Sequence, residues 1–214
     1  MTDCSDGTYS VSYTASTSGQ YSMCVLMGGK HIGGSPFQVS VEAAQSVGSC
    51  SMLNGVNEHM TIAAGEQIAL AVEAKDRFGN RCTRGGDAVV AELRGMDKRV
   101  ALTVRDMADG SYELCGTVEV SGEYELSVEL GGESVIGSGR TVEIAPAEAS
   151  VEHCMLSQLF VDGAQASLLV TVVDRFGNVR SGLDDLSASV VGATSTIATV
   201  VCSARCPVCT VNCA

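Results

Sequence analysis

From Asp6 to Val41 the chain sets apolar and polar residues in turn. Tyr9, Val11 and Tyr13 alternate with Ser10 and Ser12; Tyr21, Met23 and Val25 with Ser22 and Cys24; Phe37, Val39 and Val41 with Gln38 and Ser40. Successive side chains of a strand leave on opposite faces, so a period of two sends one set toward a core and the other toward water. The pattern predicts strands over 8–13, 20–27 and 35–41. Ser18-Gly19 and Gly28-Gly29 supply the turns, since glycine takes positive φ without strain.

The same stretch returns downstream. Asp6-Gly7-Thr8-Tyr9 comes back as Asp109-Gly110-Ser111-Tyr112, an offset of 103 residues. Ser18-Gly19 and Tyr21 return as Ser121-Gly122 and Tyr124, and Gly28-Gly29 as Gly131-Gly132. A second landmark, DRFGN, stands at 76–80 and again at 174–178, an offset of 98. Two independent landmarks of nearly equal period imply a tandem array of units roughly 100 residues long, the size of a small β-sandwich. Tyr9 and Tyr112 are then expected in like surroundings, each within a core.

Between the landmarks the alternation continues. Residues 52–60 read as an irregular or edge strand. Ile68, Leu70, Val72 and Ala74 form an inward set, with Ala69, Ala71, Glu73 and Lys75 outward. In DRFGN, Phe78 is expected to plug the end of the sandwich while Gly79 and Asn80 carry the turn. Val89, Ala91 and Leu93 alternate with Val90, Glu92 and Arg94; residues 95–98 turn the chain; Leu102 and Val104 form a short strand ending at Asp106. Closing strands follow over 111–117, 123–130 and 140–144. About seven strands with frequent turns predict an all-β fold of tandem antiparallel, immunoglobulin-like sandwiches. The expected division is the closing part of a unit over 1–44, a complete unit over 50–146, the opening part of a third over 150–201, and an unstructured cysteine-rich tail over 202–214. The landmarks cut the outer units short, as in a piece of a longer array.

Composition narrows the function. The 214 residues carry 13 basic and 25 acidic side chains, a net charge of −12, and no tryptophan. Without a basic stripe neither nucleic acid nor an anionic membrane surface is an expected partner. The longest uncharged run, 186–204, has the Ser, Thr, Ala and β-branched content of strands rather than of a membrane span. The ten cysteines do not recur with the units: Cys24 aligns with Ser127, Cys115 with Ser12, Cys82 with Arg180. Free thiols are expected rather than a repeated disulfide framework.

Catalytic chemistry finds no foothold. No nucleophile, general base and orienting group cluster in the sequence, which has only three histidines, His31, His59 and His153. Asp76 and Asp174 read as turn-forming acceptors rather than metal ligands. Cys202, Cys206, Cys209 and Cys213 offer thiolates enough for a four-coordinate zinc. The segment is short, contains Pro207 and has no core of its own, so no metal or other cofactor is expected.

The stretch GGKHIGGSPFQVSV at 28–41, with D-G-x-Y-x-V-x-Y before it and D-x-F-G-N in the next unit, resembles the filamin repeat, an immunoglobulin-like sandwich found in tandem in actin crosslinkers. The match weakens at Ser138-Gly139-Arg140, where the family's Pro-Phe is missing. The resemblance implies a non-enzymatic scaffold or spacer that binds protein partners by adding their strands to a groove between its third and fourth strands. Here those strands are expected at 88–93 and 101–105, with Val90, Glu92, Thr103 and Arg105 as the outward or edge residues. Charges at Glu92, Arg94 and Arg105 have a second reading, as protection of an edge against unwanted pairing. Proline at Val90 is expected to abolish capture. The resemblance also implies association with the actin cytoskeleton and a cytoplasmic site. Acidity gives no help in approaching acidic actin filaments directly. Two other readings stay open: an extracellular or membrane-anchored adhesion protein built of such repeats, and a substrate-recruiting repeat of a ubiquitin ligase.

Overall fold

The computed structural model describes residues 1–162, 165–181, 200–201 and 210–211. Among these every regular element is a strand except a 3-10 turn at Gly48–Cys50. The chain opens with six short strands: β1 (Thr2–Asp3), β2 (Tyr9–Ser10), β3 (Gly19–Met23), β4 (Leu26–Met27), β5 (Lys30–His31) and β6 (Phe37–Val41). They pair only locally, as β1 with β2, β3 with β6 and β4 with β5.

Ten strands follow: β7 (Met52–Asn54), β8 (Met60–Ala63), β9 (Gln67–Glu73), β10 (Val89–Arg94), β11 (Arg99–Ala101), β12 (Thr103–Asp106), β13 (Ser111–Thr117), β14 (Gly122–Leu130), β15 (Glu133–Ser134) and β16 (Arg140–Ala145). One sheet runs β11-β10-β14-β16-β8, with β15 hydrogen-bonded to β14; the other runs β12-β13-β9-β7. All these pairs are antiparallel except β8 with β16. Each long strand buries alternate residues: Ile68, Leu70 and Val72 on β9, Ala91 and Leu93 on β10, Tyr112 and Leu114 on β13. Tyr124, Leu126, Val128 and Leu130 on β14 join Val142 and Ile144 on β16 from the opposite sheet, and the two inner faces form one apolar core. This is the expected immunoglobulin-like sandwich.

Beyond it lie β17 (Met155–Asp162) and β18 (Gln165–Thr171), paired with each other, then β19 (Val200–Val201) and β20 (Thr210–Val211). The run at 186–204 falls almost wholly outside the described residues, and so do Cys202, Cys206, Cys209 and Cys213 with their candidate metal role. Among the described residues, no helix is long and apolar enough to cross a membrane.

Three expectations are corrected. Residues 52–60 are not one edge strand: β7 pairs with β9 in one sheet, and the chain then crosses so that β8 pairs with β16 in the other. Phe78 does not plug the sandwich; it is 48% exposed, with the Arg77 guanidinium 4.6 Å from its ring centre. Its counterpart Phe176 is half-buried against the core built by residues 53–144. A Cβ on Gly65 would lie 2.4 Å from the Phe176 ring, so this turn accepts the ring only because it is glycine. Among the described residues no glycine turn packs against Phe78 in this way.

The third correction concerns the aligned tyrosines, which lie in unlike surroundings. Tyr112 is 1% exposed and Tyr9 is 56% exposed. Tyr112 stands on β13, flanked by β12 and β9, with the second sheet above it. Tyr9 has only β1 beside it, and the strand predicted over 8–13 shrinks to Tyr9–Ser10. Alternation chooses a face for a side chain; it does not supply the sheet that covers that face.

Local structure nevertheless recurs bond for bond. Asp3 pairs with Tyr9 as Asp106 pairs with Tyr112. Thr8 N–H donates to Asp6 Oδ1 (2.9 Å), and Ser111 N–H to Asp109 Oδ1 (3.0 Å). Among the described residues, Ser5 and Ala108, 103 residues apart, are the two non-glycine residues with positive φ, at 62° and 59°. Tyr21 Oη donates to the Thr17 carbonyl (2.8 Å) and Tyr124 Oη to that of Val120 (2.9 Å), the same tyrosine corner in each unit. Val25 N–H and Val128 N–H donate to Ser35 Oγ (2.8 Å) and Ser138 Oγ (2.9 Å).

Inside the core Tyr112 Oη donates to Asp87 Oδ2 (2.8 Å) and accepts from Asp87 N–H (3.0 Å). Burial, aided by the Asp87 carboxylate, pushes its phenol from the ordinary 10.0 up to about 12. The folded state therefore holds the proton more tightly than the unfolded chain. The stability tied to it is complete below pH 10.0 and is lost as the pH rises toward about 12. Tyr112→Phe should flatten the alkaline fall in stability, measured as melting temperature against pH. A residual fall belongs to Tyr124 and Cys82, whose phenol and thiol burial also raises. An unaltered alkaline slope would contradict the assignment.

Candidate partner-binding edge

The four residues singled out for strand addition lie on β10 and β12, in different sheets. Val90 is 60% exposed, Thr103 and Arg105 are exposed, and Glu92 is half-buried. Between the two strands lies β11, most of which alternation alone had left unassigned between the turn at 95–98 and the strand expected from 101. It pairs with the last three residues of β10, Glu92 with Ala101, Leu93 with Val100, Arg94 with Arg99. Leu102 N–H then donates to the Ala91 carbonyl (2.8 Å), and the chain crosses to the other sheet as β12.

The register fixes what remains open. Gly131 N–H donates to the Ala88 carbonyl (2.8 Å), so Ala88 faces the β14 side, whereas Ala91 faces β11. Main-chain groups alternate along an antiparallel strand, so Val90 also faces β14 and Val89 faces the side where β11 has ended. The free stretch of edge is therefore short and centres on Val89, with the Val90 side chain standing over it. Arg94 and Arg99 reach Glu92 at 2.5 and 4.0 Å, and Arg105 lies 3.5 Å from Glu113. These pairs are surface contacts of small energetic worth, and they place charge on β10, β11 and β12 beside the free stretch of edge.

A second polar cluster, absent from the predicted site, forms around DRFGN. Asp76 is fully buried from solvent and accepts the N–H groups of Ala44, Phe78 and Asn80 and the Asn80 carboxamide, all at 2.8–2.9 Å. Burial alone would raise its pKa; these donors outweigh that and hold the carboxyl at about 2. Asp174 repeats the arrangement with Ala147, Phe176 and Asn178, and its carboxyl is likewise lowered against burial. Both aspartates act as turn acceptors. Among the described residues no three histidine, cysteine or acidic side chains are grouped to hold a metal. Six described cysteines carry free thiols, with Cys24 exposed, Cys115 half-buried and Cys82 buried. The sequence held a signal for this cluster: the two polar ends of DRFGN, Asp and Asn, return together at the second site.

Fold and closing-strand motifs define a tandem immunoglobulin-like repeat chain. Residues 1–38 match the Filamin/ABP280 repeat model. Rattus norvegicus Filamin-C is 27% identical over 143 residues, covering 64% of this chain and 5% of its own length. Drosophila melanogaster Filamin-A is 27% identical over 160 residues, 74% of this chain and 7% of its own. Rattus norvegicus Tripartite motif-containing protein 3 is 37% identical over 90 residues, 37% of this chain and 12% of its own. The Escherichia coli adhesin FdeC shares the fold with a TM-score of 0.56 at 21% identity, covering 91% of this chain and 64% of that one. Residues 1–38 thus match a filamin repeat, and the chain spans a small fraction of the length of the curated relatives it matches.

Proposed function

We propose that this chain is a non-enzymatic scaffold or spacer that binds protein partners by strand addition, in a cytoplasmic, cytoskeleton-associated setting. The proposed units are those expected from the sequence, with residues 50–146 as the complete one. The observation that carries the reading is the stretch of β10 around Val89 left unpaired where β11 ends, under the exposed Val90 side chain. An extended peptide with alternating apolar residues has the main-chain groups to continue that sheet and a side chain to meet Val90. The actin association rests on the likeness to the filamins alone.

Proline at Val90 is a poor test, because Val90 turns its N–H toward β14 and the change would break the interior of a sheet. A charge at the same place leaves the ladder intact. Val90→Asp should weaken capture of short extended peptides by about tenfold or more while leaving the melting temperature nearly unchanged. Unchanged capture by the folded variant would remove this edge as the site. Peptide binding and thermal melting, measured on the same preparation, make the check.

A further inference from the structure

Asn80 and Asn178 each face two ways. Asn178 is 8% exposed. Its backbone N–H donates to Asp174 Oδ1 (2.9 Å) and its carboxamide to Asp174 Oδ2 (2.7 Å), within its own loop. The same carboxamide donates to the Glu119 carbonyl (2.7 Å) and accepts the Ser121 N–H (2.8 Å), across a gap of more than fifty residues. Asn80 does the same one unit earlier, donating to the Ser16 carbonyl (2.8 Å) and accepting the Ser18 N–H (2.9 Å). The turns so gripped, 16–18 and 119–121, are those held by the tyrosine corners of Tyr21 and Tyr124.

Side-chain chemistry explains the choice of residue. A carbonyl of one residue and an N–H two positions on form the two-point edge that a neighbouring strand would read. Asparagine carries a donor and an acceptor at one short tip and can match both. Aspartate lacks the donor, and leucine of similar size lacks both. The aspartate at the head of the motif also takes the N–H of Ala44 or Ala147, residues of the segment joining one unit to the next. One pentapeptide thus fastens its own loop, the linker, and a turn of the preceding unit.

We propose that DRFGN is an inter-repeat clasp. Its asparagine recognises the Ser-Gly turn of the preceding filamin-type repeat and fixes the angle between successive units, so that the array is stiff rather than freely jointed. This rests on the spacer reading given above and supplies its mechanical basis.

Amide hydrogen exchange on the full chain tests it. In Asn178→Ala the Ser121 amide should exchange on the order of tenfold faster, with Ser18 unchanged; Asn80→Ala should reverse the pattern. The Phe176 amide, held by Asp174, should keep its protection in Asn178→Ala. The double variant should scatter X-rays at small angle as a more jointed, broader ensemble than the parent chain. Unchanged Ser121 exchange, or loss of Phe176 protection to the same extent, would overturn the clasp and leave the asparagine a part of its own loop. Unaltered scattering by the double variant would overturn it as well. Peptide capture at β10 is read separately, so loss of the clasp with capture intact, or the reverse, tells which reading has failed.

Discussion

Replacing Tyr112 with alanine is expected to destabilise the protein by about 3–5 kcal/mol, and the same change at Tyr9 to stay within about 0.5 kcal/mol. The two tyrosines stand in the same motif one period apart, and only Tyr112 falls in the stretch whose opening strands are also legible in the sequence. Burial sets the difference: Tyr112 is 1% exposed and Tyr9 56%. Truncating Tyr112 opens a cavity between the sheets and leaves Asp87 without its phenol partner. Truncating Tyr9 removes a side chain already wet. Chemical denaturation followed by circular dichroism measures both. Equal losses at the two sites would mean that residues 1–41 are covered as fully as residues 52–145.

Gly110→Ala should be nearly as damaging, at about 3 kcal/mol or more, because two costs add. Gly110 has φ +82°, where any side chain is strained, and a Cβ there would stand 2.1 Å from the Cys82 carbonyl oxygen. That contact is with backbone, so it cannot be relieved by turning a side chain. The aligned Gly7 has φ +89° and nothing within 4 Å of a Cβ, so its replacement incurs the conformational cost alone, about 1 kcal/mol. Thermal melts of the two variants check the contrast; a mild Gly110→Ala would show that the 82–85 segment can move aside.

These pairs mark where the sequence can be read and where it cannot. The sandwich between Met52 and Ala145 was legible because each strand has a clean inner set, such as Ile68, Leu70 and Val72, and a glycine-marked turn. Alternation identifies a face but names no neighbour. It therefore missed β11, three residues too short to show a period, and the crossing between β7 and β8, which depends on which edge is vacant. The outward residues Val90, Thr103 and Arg105 were legible for the same reason as the core. Which of their main-chain groups are free was not, since that follows from the point where β11 stops. Phe78 was misjudged because its role belongs to a contact between units: the same ring at Phe176 packs and at Phe78 does not. The Asp–Asn clasp was visible only as a repeated word; its meaning needed Glu119 and Ser121 brought beside Asn178.

The rest of Phe176 on the Gly65 turn carries a thermodynamic consequence. Part of the apolar surface sealing residues 53–144 comes from a segment that follows them in the chain. Folding free energy then flows upstream: the core of residues 53–144 is completed in part by the segment that follows it, as in a one-dimensional lattice with nearest-neighbour terms. A proteolytic cut in the linker after Ala149 would be felt first by the module before it, as a lowered melting temperature and a loss of shared cooperativity.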